Sequence, residues 1–95
     1  MNIKEVKQKI TPILDQYGVK KAFVFGSVAS GTARPNSDVD ILIELDEPLG
    51  LFRLAQLNYT LEDALGRKVD LIKKNAIKPS FKESILQSAK PIYEQ

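Results

Sequence analysis

Residues 22–43 decide the reading: Ala22-Phe23-Val24-Phe25-Gly26-Ser27, then ten residues, then Asp38-Val39-Asp40-Ile41-Leu42-Ile43. Short apolar runs bounded by turn formers read as strands. The first run closes on Gly-Ser and the second opens on Asp-x-Asp. Side chains alternate along a strand, so Asp38 and Asp40 point to one side and Val39, Ile41, Ile43 and Leu45 to the other. Two carboxylates this close repel and raise one pKa unless a cation sits between them. A glycine after the first strand lets the backbone approach a phosphate, and the amides that follow, with the Ser27 hydroxyl, would donate to its oxygens. A phosphate cradle beside paired carboxylates points to nucleotide chemistry.

Each signal alone has a plainer reading. Acids at a strand start often cap turns, a glycine after a strand often only permits a turn, and serine often caps a helix. The combination weighs more because of Asp70, which lies in a further short apolar run, Val69-Asp70-Leu71-Ile72. If Val69 and Leu71 face the core, Asp70 shares the side of Asp38 and Asp40, and three carboxylates there suit a pair of Mg²⁺ ions about 3.5–4 Å apart.

Outward from this centre, Ile3, Val6, Ile10, Ile13, Leu14 and Tyr17 repeat at helical spacing and predict an amphipathic helix over 2–17. Pro12 is expected to kink or split it, and Gly18 to cap it. Lys20-Lys21 lead into the strand Ala22–Phe25, whose unbroken apolar run is expected to be buried on both faces. Residues 26–31 are rich in small side chains, and Thr32–Ser37 read as loop. The second strand covers Asp38–Leu45. Leu51, Leu54, Leu57, Leu61, Ala64 and Leu65 predict a helix over 51–65, capped by Gly66. A third helix starts at Lys78 with Pro79 in its first turn and buries Phe81, Ile85, Leu86 and Ala89. Pro91 ends it, and Ile92-Tyr93 add a last extended piece. The fold class is α/β (α+β): one domain, residues 1–95, with a small mixed sheet of three or four strands and helices mainly on one face. The other face is then open to be a site.

Composition narrows the chemistry. The chain has 95 residues, a net charge of +2, no Cys and no His. That removes thiol nucleophiles, imidazole bases, Cys/His zinc sites and the Ser-His-Asp triad. A metal must be held by oxygen, which favours Mg²⁺ or Mn²⁺. The charge is too small to argue for direct nucleic-acid binding, and no apolar stretch approaches membrane-spanning length. With no signal peptide, a cytoplasmic location is expected.

Gly26-Ser27, ten residues, then Asp38-Val39-Asp40 resembles the signature of the DNA polymerase β-like nucleotidyltransferase superfamily. The wider run, Phe-Val-Phe-Gly-Ser-Val-Ala-Ser-Gly followed by Asn-Ser-Asp-Val-Asp-Ile, is similar to its minimal nucleotidyltransferase branch. Members of that branch are commonly antitoxin partners of HEPN-domain toxins. The resemblance runs from the first helix to Pro91-Ile92-Tyr93. It implies the polymerase β-like fold, ATP as substrate, and two Mg²⁺ ions held by Asp38, Asp40 and Asp70. It also implies that Gly26 and Ser27 hold the β- and γ-phosphates, and that Asp70 helps deprotonate the acceptor. The family often carries Arg where this chain has Ser30, and Arg34 in the same loop is the candidate replacement.

The short chain leaves no residues for an acceptor domain. The acceptor is therefore expected on another protein, by resemblance a HEPN toxin receiving AMP on a hydroxyl such as that of Tyr. Homo-oligomerisation stays open. A rival reading is a non-catalytic module that neutralises its partner by contact, favoured by Ser30. The three acids favour the enzyme. Transfer to a small molecule is a third reading, weakened by the missing acceptor domain.

Overall fold

The computed structural model describes residues 2–26 and 38–95. The element order is α1 (Ile3–Gln16), β1 (Val19–Phe25), β2 (Val39–Leu45), α2 (Leu51–Leu65), β3 (Val69–Lys73), a 3₁₀ turn (Lys74–Ala76), α3 (Pro79–Ser88) and β4 (Lys90–Glu94). The strands form one sheet in the order β3-β2-β1-β4. β1 is antiparallel to both β2 and β4, and β2 is parallel to β3. The fourth strand is thus real, at the edge opposite β3.

α1 begins where the Asn2 side chain accepts from the Glu5 N–H at 2.9 Å, which satisfies one of the donors a helix start leaves without a partner. Its stripe Val6, Ile10 and Leu14 is fully buried, with Tyr17 just past the end. Pro12 does not split the helix, which runs unbroken through it. Pro12 removes the donor for the Gln8 carbonyl, but both residues are exposed, so water can satisfy that carbonyl.

α2 buries Leu57, Leu61 and Leu65 against the same cluster, while Leu51, predicted on its buried stripe, is 84% exposed. That residue opens the helix before the helix meets the sheet. From the strands the cluster takes Val19, Ala22, Val24, Val39, Ile41, Ile43, Val69 and Ile92. α1 and α2 therefore cover one face, as expected. The β1 strand starts earlier than predicted, and it alternates: Ala22 and Val24 are buried but Phe23 and Phe25 only half so. Continuous burial on both faces is corrected accordingly.

β4 is tied to α1 as well as to β1, since the Tyr93 hydroxyl donates to Asp15 Oδ1 at 3.0 Å. α3 keeps Pro79 in its first turn but ends at Ser88, before Pro91. Of its predicted buried face, Ile85 is half-buried, Ala89 is half-buried and lies just after the helix, and the side chains of Phe81 and Leu86 are outside what is described. No described helix is long and apolar enough to cross a membrane.

Leu61 is fully buried at the junction of α1, α2 and the sheet. Leu61→Ala should lower stability by about 2–5 kcal/mol, the loss of transfer energy plus a cavity. Urea unfolding followed by circular dichroism measures it.

Candidate functional site

The acids sit where strand alternation puts them. β2 reads buried, half-buried, buried from Val39 through Asp40 to Ile41. Val39 and Ile41 enter the core, so Asp40 faces away from α1 and α2. Asp38 stands exposed just before the strand. β3 repeats the pattern, with Val69 buried, Asp70 exposed and Leu71 packed against the core. The parallel register pairs Val39 with Val69 and Asp40 with Asp70. The two acids therefore occupy neighbouring strands on one face. That face is not wholly open, because Leu42 two residues on is fully buried.

Partial burial of Asp40 raises its pKa, and the charges of Asp70 and Asp38 raise it further. Both neighbouring carboxylates thus act on Asp40. Among the described residues, however, no three acidic side chains are grouped closely enough, as they stand, to hold a metal ion. The donor set is all carboxylate oxygen, which suits Mg²⁺ or Mn²⁺.

Gly26 follows β1, whose last residue, Phe25, pairs with Asp40. It has φ +72°, a conformation that only glycine adopts readily. A Cβ there would overlap Asp40 Oδ2 and lie 3.3 Å from its Cγ. Sequence reasoning assigned Gly26 to a phosphate. The structure shows that Gly26 leaves room for the Asp40 carboxylate. Ser27, Ser30 and Arg34, with the rest of the 26–31 turn and the loop Thr32–Ser37, lie outside the described residues.

Two contacts fix the start of β3. The Val39 N–H donates to the Lys68 carbonyl at 2.9 Å. The Val69 N–H donates to Glu62 Oε2 at 3.0 Å. Glu62 was not singled out from sequence, although an acid in the last turn of a helix faces the negative end of the helix dipole and needs a partner. A separate cleft of about 510 Å³, lined by Ile43, Leu45, Pro48, Lys73 and the Glu44–Lys74 ion pair, lies at the opposite end of β2 and β3. Asp38, Asp40 and Asp70 do not line it.

The frame closely matches a solved minimal nucleotidyltransferase, with a TM-score of 0.82, 32% identity and 96% of each chain covered. A chain in the complex of a tri-AMPylated Shewanella oneidensis HEPN toxin with its MNT antitoxin shares the fold at TM-score 0.76 and 19% identity, covering 98% of this chain and 73% of that one. The fold is therefore that of a minimal nucleotidyltransferase. Residues 8–95 match the family model described as Polymerase beta, Nucleotidyltransferase. The chain belongs to the polymerase β nucleotidyltransferase family. A Methanocaldococcus jannaschii protein named as a protein adenylyltransferase is 47% identical over 89 residues, covering 94% of this chain and 96% of that protein. The protein adenylyltransferase MntA of Thermococcus cleftensis is 32% identical over 91 residues, covering 92% of each.

Two outcomes test this geometry. Gly26→Ala should lower stability by about 1–3 kcal/mol, from the positive φ and the overlap with Asp40. Adding Asp40→Ala should recover part of that loss in thermal unfolding, as expected for two residues in contact. The raised pKa of Asp40 means that the fold favours the protonated acid. Its contribution is fully present below the ordinary value of 3.8 and is lost as pH rises through the higher folded-state value. In EDTA at pH 7, Asp40→Asn should therefore melt above wild type, with the gap closing toward pH 4.

Proposed function

We propose that the chain is an Mg²⁺-dependent adenylyltransferase, moving AMP from ATP to a hydroxyl of a partner protein, as the antitoxin of a HEPN toxin. The observation that carries this reading is the pairing of Asp40 with Asp70 across parallel strands, with Asp38 two residues away. The effect of Asp70 and Asp38 on Asp40 adds to it. Names among the relatives, and the HEPN complex that shares the fold, support the acceptor class.

In this reading Asp38, Asp40 and Asp70 would hold two Mg²⁺ ions, or Mn²⁺, which would supply positive charge to the triphosphate and to the acceptor oxygen. Gly26 and Ser27 line the β- and γ-phosphates, and Arg34 supplies the cation that Ser30 does not. The hydroxyl of the acceptor, such as that of a Tyr, gives its proton to the Asp70 carboxylate. Its oxygen bonds to the α-phosphorus, and the bond from that phosphorus to the bridging oxygen breaks. Pyrophosphate leaves with the electron pair. Little covalent work falls to the protein, so positioning and charge stabilisation supply the rate. Residues 1–95 act as one domain in the cytoplasm, with the acceptor surface on the partner.

Incubation with the partner, ATP and Mg²⁺, followed by intact-mass measurement, should show a gain of one or more AMP units. Asp40→Asn should reduce that gain at least about a hundredfold, the scale of lost electrostatic stabilisation at a reacting phosphate. Labelling undiminished in this variant would remove Asp40 from the site. A partner neutralised without any mass gain would favour the contact-only module instead.

A further inference from the structure

The strand that carries Asp70 is an edge strand, with β2 on one side. The bond from the Val39 N–H to the Lys68 carbonyl sets which backbone groups of β3 face inward. In a parallel ladder that phase turns Asp70 and Ile72 toward β2 and leaves Val69, Leu71 and Lys73 pointing to the outer edge. Glu62 takes the outward Val69 N–H. Among the described residues no hydrogen bond engages the Leu71 N–H, the Leu71 carbonyl or the Lys73 N–H. The other edge is treated differently, since β4 carries Pro91 and the charged Lys90 and Glu94, features that discourage strand addition.

We propose that the outer edge of β3 receives an extended segment of the partner protein as an added antiparallel strand, and that this strand sets the acceptor hydroxyl beside Asp70. The proposal rests on the transfer reading given above. Main-chain bonds from Leu71 and Lys73 supply affinity, as in other cases of strand addition. The geometry then supplies position. Because Asp70 turns its own backbone groups inward, the residue facing it forms a non-hydrogen-bonded pair, the closer kind, with Cα atoms about 4.5 Å apart. Its side chain emerges on the face of Asp70 and Asp40. A serine or threonine there, or a tyrosine on the diagonal, brings its hydroxyl to the Asp70 carboxylate. That hydroxyl then loses its proton to the carboxylate and its oxygen bonds to the α-phosphorus as pyrophosphate departs.

The test uses backbone hydrogen exchange and one substitution. The Leu71 and Lys73 amides should exchange fast in the chain alone and slow by at least about tenfold in complex with the HEPN-domain partner, the scale of one protected hydrogen bond. Lys73→Pro deletes an outward N–H and no ladder bond. It should lower kcat/KM for transfer to the partner about tenfold with ATP affinity unchanged, whereas Lys73→Ala, which loses only the side chain, should stay near wild type. Amides that stay fast in the complex would overturn the proposal, as would Lys73→Pro behaving like Lys73→Ala. Amides already slow in the chain alone would overturn it too, and a dependence on protein concentration would name a second copy of this chain as the occupant. Protected amides without AMP on the partner would remove the transfer reading and keep the docked strand.

Discussion

The parallel register between β2 and β3 is the constraint on which the acidic end depends. It sets Asp40 against Asp70, a pairing of like charges that is unfavourable by itself. The apolar side of the same strands holds it in place. Val39 and Ile41 on β2 and Val69 on β3 enter the core together. A slip of one residue would turn Val69 outward and Asp70 into that core. Burial of aliphatic side chains on one face thus maintains electrostatic repulsion on the other. Two local devices reinforce the arrangement: Glu62 anchors the first residue of β3, and Gly26 leaves space for the Asp40 carboxylate.

Much of this was legible in the sequence because it is periodic. The stripe Val6, Ile10, Leu14 and the alternation from Val39 to Ile43 both follow from local spacing. The sharing of one face by Asp40 and Asp70 also followed, from their apolar neighbours. What could not be read depends on tertiary partners. Ile92-Tyr93 is too short an apolar run to define a strand, and becomes one only by pairing with β1 far earlier in the chain. The burial of Leu42 on the acidic face has no signal in β2 itself. Pro12 misled because the cost of proline in a helix depends on whether the orphaned carbonyl can reach water, which is a matter of exposure. Glu62 was hidden because its partner is a backbone amide seven residues on, across a turn.

Family membership and the fold agree on what kind of machine this is, and the geometry narrows where its working parts lie. The acids gather at the start of β2 and β3, while the cleft with Lys73 and Lys74 lies at the far ends of the same strands. Among the described residues that cleft and the three carboxylates are therefore separated along the sheet.

The position of β4 has a consequence for assembly. β1 is an interior strand, yet one of its two neighbours is made some seventy residues later, with Lys21 paired to Glu94. During synthesis β1, β2 and β3 can meet while β1 still presents an open side to solvent. Until β4 arrives, that side is a bare template for a strand from another chain. The long loop that β4 closes is also a non-local pairing, the kind that slows folding relative to local contacts. Pairing of β1 with β4 thus ends the interval in which a nascent chain is most exposed to misassembly.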